Sequence, residues 1–128
     1  MKKISVFLDD YRIAPDGYVL AETIDECLEL LHKFEIEHLS LDHDLVDRYR
    51  NGFMLVQRMI RDKLFADRIT IHSANAVGGK AMYKSLLQAQ KDSLIPSTTI
   101  ISLRPLPLDS IPISMIDHYL KTKILARS

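Results

Sequence analysis

Three short polar clusters in this chain each follow an apolar run. Asp9-Asp10 follows Ile4–Leu8, Asp42-His43-Asp44 follows His38–Leu41, and His72-Ser73-Ala74-Asn75 follows Arg68–Ile71. Between them they hold four carboxylates, two imidazoles, a hydroxyl and an amide. Gathered in one crevice, the carboxylates repel one another unless a cation or protons compensate them. An oxygen-rich acidic set suits Mg²⁺ or Mn²⁺, and histidines beside it extend the choice to Zn²⁺. Imidazoles titrate near neutral pH and serve as general acid and base. Such a set is equipped to open a 2′,3′-cyclic phosphate. That reaction needs a base for water, an acid for the leaving oxygen and a charge partner for the phosphoryl oxygens. Two histidines supply acid and base, each worth about 10²–10⁴-fold in rate. A metal on Asp9, Asp10 and Asp42 supplies the charge. Asp44 tunes or orients a histidine, and Ser73, Asn75 and Arg104 bind phosphoryl oxygens.

These residues meet only if the elements before them are parallel strands of one sheet. In an open α/β sheet the carboxyl ends of the strands share one edge, and the ligand crevice lies there. The pattern fits. Short apolar runs alternate with longer helical stretches, as in an α/β domain with a largely parallel sheet. Ile4–Leu8, Tyr18–Ala21, His38–Leu41, Arg68–Ile71 and Thr98–Leu103 read as five strands. Thr23, with Glu26 three residues on, starts a helix whose inward stripe is Ile24, Cys27, Leu28, Leu31 and Phe34. Asn51 caps a second helix. A third is expected over Lys80–Lys91, after a loop containing Gly78-Gly79. A last helix begins at Asp109 or Ser110, with Ile113, Ile116, Leu120 and Ile124 inward. The first two strands are joined by too few residues for a helical crossover, which normally needs a dozen or more. The first helix is therefore expected to be reduced or lost, and the second strand to be a short edge strand, parallel or antiparallel.

The order of these clusters resembles the receiver domain of response regulators. There an acidic pair ends the first strand, a phosphoacceptor Asp the third, a Ser/Thr the fourth and a Lys-Pro the fifth. Asp9-Asp10, Asp42, Ser73-Ala74 and Arg104-Pro105 stand in those places. The resemblance implies a flavodoxin-type three-layer sandwich with a mostly parallel five-stranded sheet, and a cis Arg104–Pro105 bond. A narrower set is more specific. Phe7-Leu8-Asp9-Asp10 with Arg12 and Pro15, then Ser40-Leu41-Asp42-His43-Asp44-Leu45, then His72-Ser73-Ala74-Asn75 with Val77-Gly78, resembles the cyclic-phosphate-processing receiver family. That family implies enzymatic work on a cyclic phosphate of a nucleotide or RNA end. Its members often carry Gly where Val46 stands here. Two other readings belong to different classes: a receiver that accepts a phosphoryl group on Asp42 and regulates a protein partner, and a module that binds a nucleotide without turning it over.

Composition narrows the field further. The 128 residues are 47% hydrophobic and 27% charged, which excludes a disordered chain and is enough for one globular domain. No apolar run reaches the ~18 residues of a membrane span. The apolar run at the N-terminus is too short for a signal peptide. One cysteine excludes a disulfide framework, and a reducing cytoplasm is the expected compartment. Net charge is zero, so bulk charge does not point to nucleic acid. The charge is uneven along the chain: residues 1–60 carry twelve acids and seven bases, residues 61–128 five and ten. Gly78-Gly79-Lys80 invites comparison with a phosphate loop but lacks the full pattern, and reads as a strand–helix loop. Cys27 reads as core, and His32, His38 and His118 as ordinary positions.

Overall fold

The computed structural model describes residues 3–45 and 50–105. The chain runs β1 (Ile4–Leu8), β2 (Tyr18–Ala21), α1 (Ile24–Lys33), β3 (Ile36–Leu41), α2 (Gly52–Asp62), β4 (Ala66–Ser73), α3 (Ala76–Lys91) and β5 (Ile100–Pro105). The strands form one sheet in the order β2-β1-β3-β4-β5, and every neighbouring pair is parallel. This is the flavodoxin-like, receiver-type α/β fold. The chain reverses direction across the sheet at β1 and β3, so the crevice expected at such a switch point lies beyond Leu8 and Leu41. Asp9 and Asp42 are the next residues.

Side chains alternate between faces along a strand. Val6 and Leu8, Leu39 and Leu41, and Ile69 and Ile71 are fully buried and share a core with Leu28, Leu55, Val56, Met59, Met82 and Leu86 from the three helices. Burying each such side chain contributes about 1.5–3 kcal/mol. Cys27 belongs to this core, and burial pushes its thiol up to about 12. The residues of opposite parity, including Phe7, His38, Ser40, Thr70 and His72, sit on the other face, where they line a cavity. The described residues thus build a sheet and one helical layer. The expected last helix, starting near Asp109 with Ile113, Ile116, Leu120 and Ile124, lies outside the described residues, as do His118 and Val46.

No helix joins β1 to β2. A short irregular connection, residues 9–17, replaces it, and β2 is a parallel edge strand. The connection is held at its start by Asp9, whose Oδ1 accepts the amides of Tyr11 and Arg12, both at 2.9 Å. It closes with the Tyr18 amide on the Pro15 carbonyl and with Gly17 at φ 84°, a left-handed conformation that suits glycine. β3 and β4 start before the expected positions and β5 reaches Pro105, because ladder pairing continues through His72 with Arg104 and Ser73 with Pro105. The expected cis Arg104–Pro105 bond is not found; there is no cis peptide among the described residues.

Candidate active site at the sheet edge

Asp9, Asp10 and Asp42 converge beyond β1 and β3. One carboxylate oxygen from each lies within 4.8 Å of the others. Asp9 is fully buried, and its carboxylate is almost saturated. Oδ1 accepts the two loop amides, and Oδ2 accepts Arg12 at 2.7 Å and His72 Nε2 at 3.1 Å. A carboxylate offers about four lone-pair positions, so these four donors use them all. Burial alone would raise the pKa of Asp9. The bonds from His72, Arg12 and Tyr11 outweigh it and hold this carboxyl well below the usual carboxylate range.

Asp42 is treated in the opposite way. It is 1% exposed, and no hydrogen-bond donor reaches its Oδ2 among the described residues. Arg12 stands 3.6 Å away, too far for a hydrogen bond. Burial first, and the neighbouring Asp9 second, push Asp42 well above the usual range. Two adjacent carboxyls are thus driven apart, one firmly ionised and one favouring its proton. By type and spacing the three aspartates fit a hard divalent cation, and the orphaned Asp42 oxygen is an open coordination position. The cation the structure holds there is the Arg12 guanidinium, which bridges Asp9 and Asp42. A metal bound to Asp9 would have to take the place of Arg12 on Oδ2.

His72 reaches Asp9 from the face away from the helices. Its Nδ1 pairs with Ser40 Oγ at 2.6 Å, and its ring stacks on Phe7 at 4.5 Å. Burial holds it below the ordinary imidazole range, against the pull of Asp9, so the ring is neutral. Nε2–H then donates to Asp9, and Nδ1 accepts from the Ser40 hydroxyl. Both nitrogens are engaged, and the ring is buried.

His43 differs on each point. It is half-buried, and its Nδ1 lies 2.7 Å from Asp44 Oδ1. Asn75 Nδ2 donates to the same Asp44 oxygen at 3.0 Å. Asn75 Oδ1 meanwhile accepts the Gly78 amide at 2.9 Å and so caps α3. The imidazole lies flat on Gly78, where a Cβ would stand 2.5 Å from three of its ring atoms. Gly78-Gly79 is therefore not a loop before the third helix. It is the first turn of α3, and Gly78 makes room for His43. Gly52 plays the same part at α2: its amide donates to the His43 carbonyl at 2.9 Å, and a Cβ would meet the Asp42 carbonyl oxygen at 2.1 Å. The Nε2 of His43 has no partner among the described residues and is the nitrogen left for chemistry.

The expected phosphate ligands are dispersed. Ser73 is buried and accepts the Asn75 amide at 3.0 Å, and Asn75 is occupied by the cap and Asp44. Arg104 is exposed, pairs in register with His72 and lines the cavity on the open face. It makes no hydrogen bond or ion pair with Asp42 among the described residues. The residues that sequence reasoning underrated are Arg12, Ser40, Gly52 and Gly78. Arg12, Ser40 and Gly78 stood out only within the family motifs, Ser40 also as a hydroxyl on a buried strand at the parity of His72, and Gly52 carried no signal.

A search of curated proteins returns no match. A family model does match. Residues 4–88 fit the model described as the cyclic-phosphate processing receiver domain. The match spans β1 to most of α3 and includes all three clusters, so the chain belongs to the cyclic-phosphate processing receiver domain family.

Proposed function

We propose that this chain hydrolyses a cyclic phosphate of a nucleotide or an RNA end to a phosphomonoester. The observation that carries the reading is the Asn75–Asp44–His43 chain, which orients one half-buried imidazole directly after Asp42 and beside the Asp9–Asp10–Asp42 cluster. An orienting acid behind an imidazole is the arrangement that prepares a general base. His43 takes a proton from water through Nε2 as the water oxygen bonds to phosphorus. The phosphorus–oxygen bond to one sugar oxygen breaks, and that oxygen receives the proton back from the imidazolium. Asp44 stabilises the imidazolium between the two transfers. His72 acts differently: both its nitrogens are used, so it is a positioning residue that fixes and ionises Asp9. A divalent cation on Asp9, Asp10 and Asp42, Mg²⁺ or Mn²⁺ by ligand type with Zn²⁺ as a further choice, would supply charge stabilisation for the phosphoryl oxygens when bound. Arg12 is the protein's own cation at the same place.

The test is phosphorus NMR on the folded protein with cyclic nucleotides and each of the three metals. Wild type is expected to yield a monophosphate resonance. His43→Ala is expected to lose about 10²–10⁴-fold of the rate. Undiminished turnover by His43→Ala would overturn the assignment of His43. An acyl phosphate on Asp42 after acetyl phosphate treatment, with no turnover, would replace this reading with the signalling receiver.

A further inference from the structure

Arg12 spends only part of its guanidinium. Nη1 donates to Asp9 Oδ2 at 2.7 Å and stands 3.6 Å from Asp42 Oδ2. Nε and Nη2 are buried and have no hydrogen-bond partner among the described residues. Those two atoms are one edge of the fork, the edge that takes an oxyanion through two parallel N–H bonds. Asp42 Oδ2, which faces the same guanidinium, is buried and unpartnered as well. Two donors and an acceptor thus go unmet around one ion pair, and each unmet buried group is a cost. The arrangement neutralises Asp9 and leaves its neighbours unsatisfied.

The side chain can leave this place without the backbone moving. The amides of Tyr11 and Arg12 are tied to Asp9 Oδ1, which keeps the residue beside the cluster. The guanidinium itself is held through Nη1 alone among the described residues. Arg12 also lines a cavity of about 400 Å³ with Asp9, Asp10, Tyr11, Ile13 and Leu20, so the space beside it adjoins the carboxylates. A divalent cation on Asp9, Asp10 and Asp42 needs Asp9 Oδ2 and repels a guanidinium at contact distance. A phosphoryl group drawn to that cation brings the oxyanion that the Nε–Nη2 edge fits. We propose that Arg12 changes partners: it closes the acidic cluster in the metal-free protein, and when a divalent cation takes its place on Asp9 its Nε–Nη2 edge holds the phosphoryl oxygens of the substrate. This rests on the reading of the cluster as a phosphate-processing site. It gives that site an order, cation before phosphate, because the edge stays covered while Nη1 is on Asp9.

The test is isothermal titration of the full chain with Mg²⁺, and with inorganic phosphate in the presence and absence of saturating Mg²⁺. Wild type is expected to bind phosphate about tenfold or more tightly with Mg²⁺ than without it. Coordination by the cation alone would also raise this affinity, so the variants carry the distinction. Arg12→Ala should bind Mg²⁺ more tightly than wild type, because the competitor is gone. Its Mg²⁺ form should bind phosphate about tenfold or more weakly than that of wild type, as lost charge-assisted bonds would. Arg12→Lys keeps a cation for Asp9 and lacks the paired edge. It should bind Mg²⁺ much as wild type does and lose most of the gain in phosphate affinity, and it carries the test if the alanine variant does not fold. Unchanged far-ultraviolet circular dichroism checks folding. Undiminished phosphate binding by the Mg²⁺ form of either folded variant, weaker Mg²⁺ binding by folded Arg12→Ala, or wild-type phosphate binding indifferent to Mg²⁺ would each overturn the proposal. None of these titrations involves turnover, so hydrolysis and the partner change of Arg12 fail separately.

Discussion

At the scale of single residues, the site is a set of unlike neighbours. Asp9 and Asp42 are the same side chain in adjacent positions, yet their surroundings drive their acidities apart. Asp9 is depressed, so its contribution to stability is present above the ordinary carboxyl value of 3.8 and is lost as pH falls below it. Asp42 is raised, so its contribution is fullest below 3.8 and is lost as pH rises through its folded value. Asn resembles the protonated acid. Asp42→Asn is therefore expected to raise the melting temperature of the metal-free protein at neutral pH, by roughly 3–6 °C for each kcal/mol relieved. Thermal unfolding followed by circular dichroism reads this directly, and an unchanged or lower melting temperature would mean that Asp42 is ionised and already compensated. The guanidinium of Arg12 gives a second expectation. Arg12→Ala frees Oδ2 of Asp9, so calorimetric titration with Mg²⁺ or Mn²⁺ should show tighter metal binding than wild type. Weaker binding would mean that Arg12 supports the metal rather than competing with it.

At the scale of elements, α3 shows how the site is built. Its first turn does two things at once: Asn75 caps the helix and steadies Asp44, and Gly78 leaves space for His43. Ser caps a helix about as well as Asn. Asn75→Ser should thus keep the melting temperature, lose the donor to Asp44 and reduce turnover by about tenfold. Asn75→Ala should lose about 0.5–2 kcal/mol of stability as well. Gly78→Ala is the sharper case. Alanine inside a helix is normally favoured over glycine by up to about 1 kcal/mol. Here the new methyl would displace the imidazole, so a folded protein with turnover near that of His43→Ala is expected. Turnover equal to wild type in Gly78→Ala would show that His43 does not need its observed place. The same helix marks where sequence reasoning stopped. The strands were legible because a sheet buried against helices demands apolar runs, and the three polar clusters were legible because they end such runs. The start of α3 was not. Two consecutive glycines weaken a helix by propensity, and only a contact with His43, more than thirty positions earlier, explains Gly78 at the helix start. The difference in burial and partners between His43 and His72 was hidden for a like reason, since the surroundings of each ring come largely from other elements.

At the scale of the whole molecule, the sheet order turns a charge pattern along the chain into one in space. β2, β1 and β3 belong to the acidic half of the sequence, and β4 and β5 to the basic half. The order keeps them on opposite sides, with β3 and β4 at the boundary. The acidic cluster lies above β1 and β3, and Arg68 and Arg104 lie on β4 and β5. Among the described helices none is long and apolar enough to cross a membrane. We infer that water, activated by His43, opens a cyclic phosphate at this edge. This is tested most directly by incubating the metal-supplied protein and a 2′,3′-cyclic nucleotide in water enriched in heavy oxygen, and weighing the product. One heavy oxygen in the phosphomonoester, with product formation slowed by His43→Ala, is the predicted result. An unchanged cyclic nucleotide before a folded, metal-supplied protein would overturn the hydrolytic role of His43.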